Sequence, residues 1–303
     1  MSSSAAAAAP GAARQRARDR RIGWAAALGV LAVWVGFQLI GRYAVRQDFT
    51  PWDMGALRYL GAFILAMPLA WHFGLPRITP SRLAAVMLMA GFGFPLLAYF
   101  GFANAPAAHG AVIMSAGLPL ATTVLAWVML REVPSLLRIA CLALVVVAAL
   151  LLALDGKASP PGAWIGDLFY AAASVSWAAY TLLVKRWGLP PLGTTLLIAL
   201  LGAPVFLPVW WVALPSAMAA APTGAILTQI VYQGFLSSVI AGFLYTTAVA
   251  RIGPASTTLI GALVPGLVAA AAWPLLGETL GVAGMLGVAL AMAGMALGVA
   301  ASR

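Results

Sequence analysis

Charged residues and cysteine are scarce in this chain. Only 8% of its 303 residues are charged, and 63% are hydrophobic. Soluble domains carry about 25% charged residues, and a soluble fold of this length has no interior large enough for so much apolar surface. The composition therefore predicts that lipid is the solvent. The single cysteine, Cys141, excludes a disulfide and a multi-cysteine metal site within one chain, and we expect it to be a small core residue.

Sequence patterns of enzymes are missing as well. The chain has no H-E-x-x-H, no G-x-S-x-G, no phosphate-binding loop and no dinucleotide fingerprint. No acidic residue falls in the middle of a hydrophobic run. We therefore expect no enzyme activity, no cofactor and no bound metal. The missing buried carboxylate also argues against export of lipophilic cations, because such exporters need one to hold the cation and exchange it for protons.

Hydrophobic runs fill most of the chain, and each has about the 20 residues that a membrane-spanning helix needs. We predict an all-α membrane protein with ten transmembrane helices and short loops, forming one bundle. The predicted spans are 22–43, 52–73, 82–104, 107–130, 134–154, 163–185, 191–214, 224–250, 254–276 and 280–300. Residues 1–21 are predicted to be a disordered basic tail, and not a signal peptide.

The net charge of +10 fits the topology of a membrane protein, so we expect no nucleic-acid partner. If the N-terminus is cytoplasmic, 13 of the 17 lysines and arginines lie at cytoplasmic ends of the spans. These are Arg14, Arg16, Arg18, Arg20, Arg21, Arg77, Arg82, Arg131, Arg138, Lys185, Arg186, Arg251 and Arg303, whereas Arg42, Arg46, Arg58 and Lys157 lie at outer ends. We predict that both termini are cytoplasmic.

One hydrophobic pattern occurs twice, at a separation of 146 residues. It pairs Tyr99 with Tyr245, Ala116 with Ala262, Pro119 with Pro265, Trp127 with Trp273 and Glu132 with Glu278. The first helices of the two halves match at a separation of 143, which pairs Gly23 with Gly166, Trp34 with Trp177, Phe37 with Tyr180 and Arg42 with Lys185. The repeats are 22–154 and 163–300. Five spans is an odd number, so the repeats are inverted, as in transporters whose substrate site lies between the halves.

Three stretches resemble a known family. They are LRYL at 57–60, AVIMSAGLPL at 111–120 with LRE at 130–132, and PASTTLIGALVP ending at Pro265 with LGE at 276–278. Together they are similar to the EamA-type family of the drug/metabolite transporter superfamily, over residues 22–300. Within it, the chain most resembles aromatic amino-acid exporters of bacterial inner membranes. We expect a multi-pass inner-membrane protein, a monomer or weak homodimer in the lipid bilayer, with a small-molecule substrate.

Trp34, Trp177 and Gln38 are predicted to bind substrate. Most of the tryptophans lie near span ends, where the membrane interface favours them, but Trp34 and Trp177 are deep and occupy equivalent repeat positions. An indole N–H at that depth needs a partner, which a polar cavity supplies. Gln38 lies one turn after Trp34 on the same face, where an unpaired amide is costly. Core packing of the tryptophans and interhelical bonding of Gln38 are the alternatives.

Tyr99, Tyr245 and Ser238 complete the predicted substrate-binding set. The tyrosines hold equivalent positions in spans three and eight, and Ser238 lies two turns before Tyr245. Pro95, one turn before Tyr99, frees backbone carbonyls that can face a cavity. The alternative for each tyrosine is a hydroxyl bonded to a neighbouring helix.

Arg58, Asp53 and His109 are candidates for gating or ion pairing. An arginine in lipid must find a carboxylate, carbonyls or water, and Asp53 lies five residues before Arg58. A substrate carboxylate also suits the guanidinium fork. The family resemblance implies an arginine here across varied substrates, which favours a structural ion pair or helix-end cap. His109, near the outer end of span four, suits proton coupling or is simply solvated.

Three functions stay open at this point. The first is a secondary transporter that exports aromatic or other hydrophobic amino acids by alternating access. The second keeps the transporter but changes the cargo to a drug, a lipophilic cation or another metabolite. The third is a membrane assembly partner without flux of its own. The repeats, the aromatic residues and the family resemblance favour the first.

Overall fold

The computed structural model describes residues 10–156 and 160–301, and within them ten helices are long and apolar enough to cross a membrane. They are α1 (Pro10–Val45), α2 (Pro51–Phe73), α3 (Pro80–Asn104), α4 (Ala107–Leu130), α5 (Leu136–Ala153), α6 (Ala163–Trp187), α7 (Pro191–Ala213), α8 (Thr223–Ile252), α9 (Pro254–Leu276) and α10 (Val282–Ala301). Helix α9 is interrupted between Gly261 and Val264. The predicted all-α, ten-helix fold is confirmed.

The largest difference from the predicted boundaries is at the N-terminus. Helix α1 begins at Pro10, so residues 10–21 are helical where the sequence predicted a disordered tail. Alanine and arginine dominate this stretch and are strong helix formers, and proline is tolerated in a first helical turn. Residues 1–9, Lys157 and Arg303, which entered the predictions of the tail and of the charge distribution, lie outside the described residues.

Helix packing follows the two repeats. Helix α1 packs along α8 as its equivalent α6 packs along α3, and α4 packs on α6 as α9 packs on α1. Helix α2 pairs with its equivalent α7, and α5 pairs with α10. Because the repeats cross the membrane in opposite directions, equivalent interfaces lie at opposite ends of the bundle.

Equivalent turns end α4 and α9. Arg131 and Gly277, 146 residues apart, adopt the left-handed conformation with φ of 57° and 62°. The residue after each donates its N–H to a carbonyl in the preceding helix, Glu132 to Ala126 (3.4 Å) and Glu278 to Ala272 (3.2 Å). The same backbone turn therefore presents both glutamates, one at each end of the bundle.

Ionic and capping bonds seal one end of the bundle, which we call the closed end. There, Arg42 Nε lies 2.8 Å from Glu278 Oε1, and Arg42 Nη1 donates to the carbonyl of Phe102. The other oxygen of Glu278 accepts the N–H of Ala107 at 2.8 Å. These bonds tie α1, α3, α4 and the α9–α10 loop together.

At the same closed end, the carboxylate of Asp155, just after α5, accepts the N–H groups of Gly281 and Gly284 at 2.6 and 2.9 Å and so holds the start of α10. The opposite end, where α1 begins and α4 and α6 finish, is called the open end, because the central cavity reaches it.

Candidate functional site

A cavity of about 790 Å³ lies between the two repeats. Its rim at the open end includes the α4–α5 loop from Glu132 to Ser135, Pro254 at the start of α9, and Val299 in α10. Its deep wall, at the middle of the spans, includes Trp34, Gln38, Arg58, Phe94, Trp177, Ser237, Ser238 and Tyr245. Small-molecule sites typically measure about 300–1,000 Å³, so the cavity is large enough for a substrate of amino-acid size.

Wide π-helical turns shape the deep wall at equivalent positions, Met87–Gly93 in α3 and Ile230–Ile240 in α8. Pro95 has no N–H for the carbonyl of Gly91, and the hydroxyl of Tyr59 donates to that carbonyl instead, at 2.8 Å. Irregular backbone at this depth is tolerated where it lines a cavity and its polar groups find partners. The carbonyl freed by Pro95 is therefore satisfied by a cavity-lining side chain.

In α8 one carbonyl collects three donors. The backbone oxygen of Gln233 accepts bonds from Ser237 Oγ (3.0 Å), Ser238 Oγ (2.6 Å) and Arg58 Nη1 (3.3 Å). Ser237 Oγ also accepts a bond from Arg58 Nη1 at 2.9 Å. The guanidinium is thus fixed against α8 at the cavity wall by neutral oxygens.

Two groups of aromatic rings face the cavity. Trp34 and Tyr245 lie with ring centroids 5.9 Å apart. Trp177 lies 4.8 Å from Phe94 and 5.2 Å from Tyr180. Rings at these separations interact favourably and leave apolar faces available to a third ring.

Five of the six predicted substrate-binding residues line this cavity, namely Trp34, Gln38, Trp177, Ser238 and Tyr245. Tyr99 does not line it; it is fully buried, and its hydroxyl donates to Gln233 Oε1 at 3.1 Å. This is the bond to a neighbouring helix that was the alternative for the tyrosines. The two repeats are inverted, so Tyr99 lies in the closed-end half of α3 and Tyr245 in the open-end half of α8. The cavity reaches only the open end, and the equivalence of the two tyrosines is lost.

Asp53 does not pair with Arg58. Among the described residues, no carboxylate lies within ion-pair distance of Arg58. Asp53 is fully buried and caps α2 in a capping box with Thr50. Its oxygens also accept bonds from Trp210 Nε1 (3.0 Å), Ser216 Oγ (2.6 Å) and the N–H of Ala217 (3.0 Å). One helical turn separates the two residues, but Asp53 points into the loop after α7 and Arg58 points into the cavity.

We expect Asp53→Asn to lower the melting temperature of the purified protein. An amide has one acceptor oxygen, so its NH₂ group would face donors that the carboxylate now accepts, at a cost of about 1–3 kcal/mol. The matched control is Asp48→Asn, because Asp48 is exposed and its left-handed φ of 62° suits asparagine. Equal melting temperatures for the two variants would contradict this role for Asp53.

His109 lies outside the cavity lining. Its Nδ1 is 2.8 Å from Asp167 Oδ1, which connects the first turns of α4 and α6 at the closed end. The side chain is fully buried and is therefore not solvated. The contact matches the ion-pairing alternative, and proton coupling through His109 stays a prediction.

The sequence analysis missed several cavity residues. Phe94 and Tyr180 complete the aromatic group around Trp177, and Glu132 lies on the rim. Tyr180 is the repeat equivalent of Phe37, which also lines the cavity, so the 143-residue match contained the information. The position of Phe94 depends on the π-helical turn before it, which no residue pattern announces.

Ten helices in two inverted repeats around a central cavity define a membrane transporter. The chain belongs to the EamA-like transporter family, whose model matches residues 21–154 and again residues 164–299, one match for each repeat. A search of curated proteins found no significant match. One solved structure, described as "Crystal structure of protein", aligns with a TM-score of 0.62 and 20% identity over 92% of this chain and 97% of that chain. At this identity, the likeness supports the fold alone.

Proposed function

We propose that this transporter exports zwitterionic amino acids with aromatic or large hydrophobic side chains. The observation that carries the proposal is the guanidinium of Arg58 on the deep wall of an aromatic cavity, bonded to neutral oxygens, with no carboxylate of the described residues in reach. A cation at this depth needs an anion. The carboxylate of an amino acid would supply it through the guanidinium fork, with the hydroxyls of Ser237 and Ser238 beside it.

The rest of the cavity suits the remainder of such a substrate. An aromatic side chain would pack between the Trp34–Tyr245 pair and the Phe94–Trp177 pair. The ammonium group would lie against the electron-rich face of a tryptophan. Gln38 offers a further acceptor, because its buried Oε1 has no hydrogen-bond partner among the described residues.

The distribution of charge supports export from the cytoplasm. The open end carries Arg131, Arg138, Lys185, Arg186 and Arg251, and positive residues favour the cytoplasmic side. We propose that the cavity opens to the cytoplasm across a bacterial inner membrane, with both termini on that side. Substrate would enter there and leave after the repeats rock to close the open end and open the closed end.

A lipophilic cation fits the cavity less well. The charge on its deep wall is positive, so a cation would be repelled where its charge must be buried. The acidic residue that lines the cavity, Glu132, lies on the rim. The same distribution of charge favours a substrate whose carboxylate leads into the cavity.

The test is efflux of labelled tryptophan from proteoliposomes. We expect protein-dependent efflux that unlabelled phenylalanine inhibits, whereas tryptamine, which lacks the carboxylate, inhibits at least about tenfold more weakly because it leaves Arg58 unpaired. Tetraphenylphosphonium serves as the cation control. Efflux equal to that from empty liposomes, or equal inhibition by tryptamine and phenylalanine, would contradict the proposal.

A further inference from the structure

The ion pair at the closed end has an equivalent set of residues at the open end. Arg42 matches Lys185 at the separation of 143 residues, and Glu278 matches Glu132 at 146. Arg42 lies in the last turn of α1, and Lys185 lies in the last turn of the equivalent helix α6. Each repeat thus contributes one cation and one glutamate, and the members of each cation–glutamate pair come from different repeats.

Local backbone geometry supports this equivalence. Glu132 and Glu278 each follow a left-handed residue and each donate an N–H to a carbonyl in the preceding helix. The two carboxylates are therefore presented alike, one by the α4–α5 loop and the other by the α9–α10 loop. Their surroundings, and not their local conformation, decide which of them is paired.

Only one of the two pairs is made in this structure. Arg42 and Glu278 are 2.8 Å apart, with side-chain exposures of 17% and 12%. Glu132 and Lys185 are exposed, and neither takes part in an ion pair with any described residue. Glu132 lies on the rim of the cavity, so a bond from it to the end of α6 would cross the opening.

We propose that Glu132 and Lys185 form a second latch, which closes the open end when the Arg42–Glu278 latch breaks. This inference rests on the proposed alternating access but does not depend on the cargo. In an inverted repeat, one repeat adopts the conformation of the other when the opening changes sides. Equivalent residues then exchange surroundings, and the exposed pair takes up the geometry of the buried one.

The two latches are unequal. At the closed end, Arg42 donates to both Glu278 and the carbonyl of Phe102, and Arg46 lies 3.5 Å from the same carboxylate. At the open end a lysine replaces the arginine, and Leu189 replaces Arg46. A lysine is a point charge without the planar fork. The difference favours the state in which the closed end stays shut and the cavity faces the open end.

Spin–spin distances across the open end test the second latch without any substrate. Labels on Val133→Cys and Arg186→Cys in a Cys141→Ser background flank the two residues and leave both intact. Adding Glu278→Gln removes the first latch and is expected to enlarge a short-distance population. Adding Lys185→Gln to that protein should reduce this population roughly two- to fivefold, the range for a partly exposed ion pair. Lys185→Arg should enlarge it.

The charge exchange Glu132→Lys with Lys185→Glu is expected to restore the population that either single change reduces. Arg20→Gln, an exposed change of the same charge, is the control and should leave it unaltered. Lys185 variants without effect, or an exchange that fails to restore the short distance, would overturn the second latch. A protein that moves no tryptophan but shows these distance changes would overturn the proposed cargo alone.

Discussion

Arg58→Gln is expected to reduce tryptophan efflux from proteoliposomes roughly 100-fold at low substrate concentration. Removing one member of a buried, hydrogen-bonded charge pair costs about 2–5 kcal/mol, and the substrate carboxylate would lose its only deep cation. Arg58→Lys keeps the charge and loses the fork, so an intermediate rate is expected. The measurement is initial efflux, normalised to the amount of folded protein.

The specificity of the Arg58→Gln variant separates binding from a structural role. A site without the guanidinium should no longer prefer phenylalanine over tryptamine as an inhibitor. If Arg58 only joined α2 to α8, the variant would melt earlier but keep the preference. Arg77→Gln, in the exposed α2–α3 loop, is the matched control and should resemble the original protein. Normal efflux by folded Arg58→Gln would remove the central support for an amino-acid cargo.

Most of the fold could be predicted from sequence because it depends on length and periodic repetition. Apolar runs of spanning length leave few choices in lipid, where helices satisfy their own backbone. The matches at 146 and 143 residues then fixed the repeats, and the equivalence of Trp34 and Trp177 led to two residues that line the cavity. Both lie near the middle of their spans, where inversion moves a residue least.

Residues away from the middle were harder to place. Tyr99 and Tyr245 are equivalent in sequence, but they occupy opposite halves of the membrane, and one conformation opens only one half. Sequence equivalence cannot say which half that is. The pairing of Arg58 with Asp53 was inferred from spacing, whereas the loop after α7 brings Trp210 and Ser216 to the carboxylate. Such long-range partners are invisible in local patterns.

The cavity is more asymmetric than the repeats that build it. At the π-helical turn, α8 has Gln233, Ser237 and Ser238 where α3 has Met87, Gly91 and Phe92. The polar side of the site therefore belongs to the second repeat, together with Arg58, which reaches it from α2. The duplicated scaffold supplies the movement, and the unequal residues supply an orientation for a substrate with a charged end and an aromatic end.

Gly234→Ala is expected to lower the melting temperature of the purified protein by about 5 °C or more. A Cβ at Gly234 would lie 2.6 Å from the Cα of Gly61 and 3.1 Å from the backbone nitrogen of Ala62, where α8 crosses α2. Backbone atoms cannot rotate away, so the helices must separate, and overpacking of this kind costs about 1–3 kcal/mol. Close approach of two helices through small residues is what this crossing needs.

Gly242→Ala is the matched control for this crossing, because it lies on the same helix with nothing within 4 Å of the added Cβ. It should leave the melting temperature unchanged or raise it slightly, since alanine favours helix over glycine by about 1 kcal/mol. Gly61→Ala should destabilise like Gly234→Ala, as its Cβ would lie 2.7 Å from the carbonyl oxygen of Ile230. The double variant should lose less than the two single losses combined, because the first change already moves the helices apart. Equal melting temperatures for Gly234→Ala and Gly242→Ala would mean that α2 and α8 do not meet this closely.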